Sequence, residues 1–425
     1  MKFYTEPQKQ IKVKAEVDVL VVGSGPSGIC AALAAKKNGA KTMIIEQLGS
    51  LGGISTSGLM SHWTGMAYSK LYKEILQRSA EKNEGEFYNK ITQYIDPEKL
   101  KTLYLEMLNE AGVRIQLYTF ACDVITEGNK VCGVITESKS GREVILAKVI
   151  IDGSGDGDIA AKAGVDYFKG RESDGKMQPA TIMFKVGGVD YSKAVFLGSF
   201  ESTLETPKGE LQTLAKKHIP FPAGHILVYR STLPGVVTCN MTNCIDIDGT
   251  NVEDLTRAEI VCRNQIYYIV KYLREFVSGY ENCFVINSAA LMGIRETRHF
   301  KGLYTLNEQD IIEAKVFEDW VVKDAHFNFD VHNLSGAGLD KTGIQKEFKQ
   351  NMGYTIPYRC LIPEKTDGLL LSGRNISGTH MAHSNFRVMP ICAAIGEAAG
   401  TAAAIAVLKN IEVREVNAVE IQKKL

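Results

Sequence analysis

VDVLVVGSGPSGICAALAAKKNGAKTMIIE, residues 17–46, is the stretch that decides the fold. Residues 17–22 are an apolar run of strand length, as expected for a strand buried on both faces of a parallel sheet. A glycine-rich turn follows, then the alanine-rich ICAALAAKKNGA, then a second short strand, KTMIIE. That order is β-turn-α-β within about 30 residues. The turn carries G-x-G-x-x-G at Gly23, Gly25 and Gly28. Gly23 allows the tight turn, Gly25 lets backbone approach a pyrophosphate, and Gly28 lets helix pack on strand. The helix N-terminus then offers unpaired N–H groups and a partial positive charge to the diphosphate. Glu46 ends the second strand 18 residues after Gly28, where an acid accepts from a ribose hydroxyl and disfavours a 2′-phosphate. Gly23, Gly25, Ser27, Gly28 and Glu46 are thus the expected dinucleotide contacts.

Outward from this unit, 68–82 and 97–111 read as amphipathic helices, and 113–151 alternates like strands, with turns at Glu127-Gly128-Asn129 and Ser140-Gly141. From about 170 to 355 the chain is polar and glycine-rich, with strand-like TIMFKV, HILVYR and GVVTCNMT and one strong helix, DLTRAEIVCRNQIYYIVKYLREF. The α/β texture returns in GLLLSG and ICAAIGEAAGTAAAIAVL. The expected fold class is therefore α/β. A Rossmann-like nucleotide-binding domain is built from both chain ends (15–165 plus 356–425), with an α+β substrate domain inserted at 166–355.

The 425 residues contain 49 Lys+Arg and 49 Asp+Glu, so no nucleic-acid footprint or polybasic membrane patch is expected. Nine scattered cysteines without a CxxC pair read as a reduced, cytoplasmic protein. The N-terminus lacks an apolar signal core, and no apolar run approaches the ~18 residues that span a bilayer.

The glycines do not separate FAD from NAD. VVGSGPSG, LGGISTSG, IDGSGDGD, GIRETRHFKG, IPYRCLIP and LLLSGRNISGTHMAHSNFRVMPICAAIGEAAGTAAA together run through nearly the whole chain. On these segments the chain resembles the bacterial FAD-dependent oxidoreductase family, related to the glutathione-reductase and fumarate-reductase flavoproteins. The resemblance implies FAD as cofactor. It places Gly52 and Gly53 alongside it, Gly155 and Asp156 in a second contacting turn, and Gly373 and Arg374 in the C-terminal signature. It also sets Val388 and Met389, with Arg387, at a helix N-terminus facing the flavin pyrimidine. Cys122, Asp123 and Val124 fall on the strand whose backbone meets the adenine.

Candidate catalytic residues are the polar groups that the chain could deliver to the flavin. His380, His383 and Arg387 lie in GTHMAHSNFR, where a histidine can act as acid or base near neutrality. In RETRH, Arg295 and Arg298 would share a helix face and clamp a carboxylate, or else form a solvated salt-bridge cluster. His332 and His62 are further contributors. Cys239 and Cys244 read as core cysteines despite C-x4-C spacing, and DIDGTNVED as a helix-capping turn, lacking the ligand pattern of a calcium loop. No metal site and no iron–sulfur cysteine cluster is expected.

The expected function is hydride transfer between FAD and a small oxygenated or anionic organic substrate. No second strand-turn-helix fingerprint supplies NAD(P)H, so the other electron partner is external: O2, a quinone, a redox protein or a diffusing reductant. The alternatives are a fumarate-reductase-like ene-reductase and a flavoprotein of RNA modification or protein assembly. Partners expected are a small substrate and the electron partner, with neither nucleic acid nor membrane. Self-association into a homo-oligomer is left open.

Overall fold

The computed structural model describes residues 2–83, 93–198, 202–340 and 352–425. Its first layer is a seven-stranded sheet drawn from both parts of the chain. β1 (Lys12–Val22) pairs in parallel with β2 (Thr42–Ile45), and α1 (Pro26–Lys37) crosses between them. Short β3 (His62–Trp63) and β4 (Gln93–Tyr94) pair beside the sheet, flanking α2 (Lys70–Asn83), and α3 (Pro97–Ala111) leads back to it. β5 (Arg114–Gln116) extends β2 in parallel at one edge. β6 (Phe120–Glu127), β7 (Lys130–Ser138) and β8 (Gly141–Asp152) form an antiparallel meander that returns to β1.

α4 (Asp158–Lys162) and β9 (Tyr167–Lys169) then leave the first layer. β10 (Phe184–Gly187), β13 (Val228–Arg230), β14 (Val237–Cys239) and β15 (Phe284–Ser288) make a four-stranded antiparallel sheet. The hairpin of β11 (Glu205–Thr206) and β12 (Gly209–Glu210), then α5 (Leu211–His218) and α6 (Val252–Phe276), accompany it. β16 (Arg298–Phe300) pairs back onto β9. α7 (Glu308–Ile312), β17 (Trp320–Ala325) and β18 (Tyr354–Pro357) lead into β19 (Leu369–Leu371), which pairs in parallel with the end of β8. α8 (His380–Phe386), α9 (Met389–Lys409) and α10 (Ala418–Gln422) close the chain. This is the expected Rossmann-like domain built from both ends, with an inserted α+β part that has its own apolar core around Phe184, Val237 and Tyr272.

Two readings change. Residues 113–125 are not one strand: the chain breaks at Tyr118, whose φ of 54° ends β5, and β6 lies at the opposite edge of the sheet. Alternation alone cannot report that break. Secondly, α9 is long and apolar enough to cross a membrane, against the expectation that no segment is. It lies instead inside the protein, because Gly396 and Gly400 let its backbone press onto α1. A Cβ at these positions would stand 2.0 Å from Ser27 O and 2.1 Å from Ala31 O.

Candidate functional site

The glycine turn takes its form from close backbone approach. Gly23 has φ +91°, and a Cβ there would stand 2.5 Å from Gly153 O; one on Gly28 would stand 2.0 Å from Gly23 O. Gly25 differs. Its φ is −61°, open to any residue, and a Cβ would meet nothing within 4 Å. The folded chain gives Gly25 no reason to be glycine, so the open space above it suits a ligand that needs bare backbone. Gly53 (φ +52°) borders that space, its Cβ position 3.3 Å from Gly25 Cα, and Gly52 N–H donates to Ser24 O at 2.8 Å.

Glu46 Oε2 accepts from Ser24 N–H at 2.9 Å and Ser24 Oγ at 2.6 Å, and Oε1 accepts from Leu48 N–H at 2.9 Å. Three of about four lone-pair sites are thus occupied, leaving one for a ribose hydroxyl. The Ser27 hydroxyl is engaged elsewhere, 2.6 Å from Ser372 Oγ. Val124, on edge strand β6 with Cys122 and Asp123, is partly buried against the main core, three strands across from the turn.

Helix termini point to the same ligand. α3, α5, α6, α8 and α10 are capped by the side chains of Asp96, Glu210, Asn251, Thr379 and Asn417. α1 and α9 have neither a side-chain cap nor an acid in the first turn, and both carry Pro there. Bare N–H groups and an uncompensated dipole at buried helix starts fit an anionic partner. Pyrophosphate at α1 and the flavin pyrimidine at Val388–Met389 would supply it. The residues present fit FAD.

Around these termini the polar side chains form one connected network. Asp156 Oδ1, in the turn of Gly155 (φ +87°), accepts from Thr297 Oγ1 at 2.9 Å and from Arg374 Nη2 at 3.0 Å. Arg374 follows Gly373, whose Cβ position lies 3.0 Å from Ser27 Cβ, so the second turn and the C-terminal signature do meet at α1. Glu296 Oε1 is shared by His380 Nδ1 at 2.6 Å and His299 Nε2 at 2.7 Å, and Oε2 accepts from Gln178 N–H at 3.0 Å. All three residues of that triad are buried. Burial alone would raise the Glu296 carboxyl; the two imidazole N–H bonds outweigh it and hold the group below the usual range. An ionised carboxylate only accepts, so His380 presents N–H at Nδ1 and, as neutral imidazole, a lone pair at Nε2. That Nε2 is buried with no partner, as are His299 Nδ1 and His383 Nδ1.

Gln178 joins this triad to a second cluster. Its Oε1 accepts from His332 N–H at 3.1 Å and from Arg387 Nη2 at 3.4 Å. Arg387 Nη2 also lies 3.0 Å from Asp330 Oδ2, and His332 Nε2 lies 3.4 Å from the same oxygen. Arg295 Nη1 donates to Pro179 O at 2.5 Å. Burial, with the Arg387 charge beside it, pulls Arg295 down to about 10. Burial likewise holds His332 and His62 at about 4, so both are neutral. His62 stacks on Tyr229 with ring centroids 4.4 Å apart.

The RETRH reading needs correction. The segment is no helix, and only residues 298–300 belong to a strand. Arg298 turns to Asp156 O at 2.8 Å and Asp158 Oδ1 at 2.9 Å, buttressing the second turn, while Arg295 faces the Asp330 cluster. The two arginines form no clamp; Arg295 is matched with Arg387 instead. Glu296, His299, Gln178 and Asp330 were not singled out from the sequence. Glu296 and His299 stood within a segment already noted, whereas Gln178 and Asp330 carried no signal. Cys239 and Cys244 are both free and buried, and Asn251 does cap α6.

Residues 18–425 match the model of the family described as FAD dependent oxidoreductase. A thiamine thiazole synthase of Methanococcus maripaludis is 31% identical over 153 residues, 33% of this chain and 56% of that protein. A digeranylgeranylglycerophospholipid reductase of Methanocella arvoryzae is 25% identical over 160 residues, 34% of this chain and 40% of that protein. The chain thus spans about half the length of the first of these curated relatives. Among solved structures, a geranylgeranyl bacteriochlorophyll reductase-like protein of Thermoplasma acidophilum superposes with a TM-score of 0.50 at 15% identity, covering 96% of this chain and 82% of that one, a likeness of fold. The bare glycine turn, the two uncapped helix starts and the match over residues 18–425 agree: the chain belongs to the FAD-dependent oxidoreductase family, and FAD is its cofactor.

Proposed function

We propose that this enzyme oxidises or reduces a small oxygenated or anionic organic substrate, with His380 as the group that takes or returns the substrate proton. The observation that carries this reading is the buried, unpartnered His380 Nε2, backed at Nδ1 by Glu296 at 2.6 Å. Bound FAD supplies the two-electron acceptor or donor. Glu296 fixes the His380 tautomer and orientation, so the Nε2 lone pair is presented before substrate arrives. Once Nε2 is protonated, the adjacent carboxylate stabilises the imidazolium; run in reverse, the same pair delivers a proton to a reduced carbon. Arg295 and Arg387 orient the substrate from the neighbouring cluster, and the buried setting keeps water from competing. The connection of the two clusters through Gln178 favours one site over two. A cytoplasmic setting agrees with nine free cysteines.

The test is an anaerobic screen of small acids, alcohols and amines for bleaching of the yellow holoprotein, with unsaturated acids tried against the reduced form. With a substrate in hand, His380→Gln is expected to keep FAD and slow the redox half-reaction by about 10²–10⁴-fold. Glu296→Gln should shift the pH profile of that step. Unchanged rates in His380→Gln would remove His380 from the chemistry, and a colourless protein that binds no FAD would end the reading altogether.

A further inference from the structure

We infer that the cluster of Arg295, Arg387 and Gln178 is the binding site for a single carboxylate group, carried by the substrate of the reaction proposed above. The inference rests on that reading and narrows its substrate to a monoacid. The first ground is unused hydrogen-bonding capacity in a buried place. Arg387 Nε and Gln178 Nε2 are buried without partners. Among the described residues the Arg295 side chain makes one hydrogen bond, from Nη1 to Pro179 O. Gln178 cannot simply turn to satisfy itself, since its Oε1 is held by His332 N–H and Arg387 Nη2. What remains is a set of N–H donors around two guanidinium groups, matched to an acceptor with two oxygens and no proton.

The second ground is charge. Asp330 is the one carboxylate bonded to a guanidinium of this cluster among the described residues, and it is shared between Arg387 and His332, whereas Glu296 reaches only the backbone N–H of Gln178. His332 is neutral, so it adds no charge to offset. Arg298, by contrast, bonds Asp158 through Nη1 and is raised above its ordinary value despite burial, whereas Arg295 and Arg387 both sit below theirs because burial outweighs the attraction of Asp330. A monoanion restores the balance. A dianion such as phosphate would bring a second negative charge against Asp330 and Glu296, so one carboxylate is the better match. Position is the third ground. Arg387 directly precedes Val388, the uncapped start of α9, so an acid held here lies beside the part of the fold that faces the flavin.

Oxidised holoprotein is titrated with propionate, with its neutral isostere propionamide, with succinate and with inorganic phosphate, following the flavin absorbance. Propionate is expected to give a saturable perturbation in the millimolar range or below, and propionamide and phosphate to bind at least about 30-fold more weakly. Arg387→Gln and Arg295→Gln should each weaken propionate by a similar factor. Because those variants can also disturb packing, Asp330→Asn serves as the second arm. It preserves shape while removing the competing carboxylate, and should tighten propionate several-fold. Propionamide binding as well as propionate, phosphate or succinate preferred over it, or Asp330→Asn weakening it, would each overturn the inference. A yellow protein that is bleached by some neutral substrate yet ignores every acid would overturn it while leaving the oxidoreductase reading intact. Absence of flavin would instead strike at that reading.

Discussion

Gly25 and Gly28 stand three residues apart in one turn, yet they are glycine for different reasons. Gly28 is required by the fold, with Gly23 O lying 2.0 Å from where a Cβ would stand. Gly25 faces open space with unstrained torsions. Gly28→Ala should therefore destabilise the apoprotein by roughly 1–3 kcal/mol through overpacking. Gly25→Ala should leave apoprotein stability within about 0.5 kcal/mol of the parent, yet weaken FAD by about 100-fold, near 2.7 kcal/mol. Urea unfolding of the apoproteins and fluorescence titration with FAD separate the two effects. Native FAD affinity in Gly25→Ala would mean that the turn is not the cofactor cradle. At this scale the sequence was legible wherever a motif fixes backbone geometry. It was silent on Glu296, whose importance comes from His380, 84 residues away.

Among the elements, α1 and α9 are the two whose uncapped starts would hold the cofactor. Both are rich in small residues, and their backbones meet at Gly396 and Gly400. The contact fixes the offset between the two uncapped starts, because Ser27 at the head of α1 packs on Gly396, seven residues after Met389. Gly396→Val would drive its side chain into Ser27 O, costing roughly 3 kcal/mol and displacing the start of α1. The expected outcome is a lower urea midpoint together with weaker FAD retention. A variant with lower stability but native FAD affinity would uncouple the helix contact from the cofactor. Helices were legible from periodicity: α3 lies at 97–111 as read, and α2 is offset by one or two residues. The β5–β6 break was not, since a single left-handed residue at Tyr118 redirects a chain whose alternation continues on either side.

The whole molecule gathers neutral histidines and ionised carboxylates into one buried region, and this makes its stability depend on pH. Burial holds His62 and His332 at about 4, His225 at about 3 and His383 well below its ordinary value. An unfolded chain would protonate all four below about 6.5, so it binds more protons than the native state and stability falls as pH drops. Glu296 and Asp330, held below the carboxylate range, extend that loss below about pH 4.5. Asp152, pushed up to about 6 by burial, acts in the opposite sense, because the folded state takes up its proton first. The balance favours the histidines. Unfolding free energy should drop by roughly 3 kcal/mol or more between pH 7 and pH 5, at about 1.4 kcal/mol per pH unit for each proton. Stability that is flat or rising over that interval would contradict the burial of neutral histidines.

The sequence by itself determined the cofactor-binding fold: the βαβ unit of residues 17–46, the FAD signature near residue 373 and the sheet assembled from both chain ends. The βαβ unit and the sheet follow from local rules, in which apolar spacing sets strand or helix and glycine marks where backbone must approach backbone, whereas the FAD signature follows from the resemblance to a family. The tertiary structure alone decided the site. Arg295 and Arg298 are near neighbours in sequence, but outside a helix they diverge, one to Asp330 and one to Asp158. Arg387, Gln178, Asp330 and Glu296 come from segments more than a hundred residues apart in part, and no spacing rule records their meeting. Which donors stay unpaired, and which charges stay uncompensated, are properties of packing in three dimensions. On the function proposed here, they are what would turn a generic flavin fold into a site that selects its substrate.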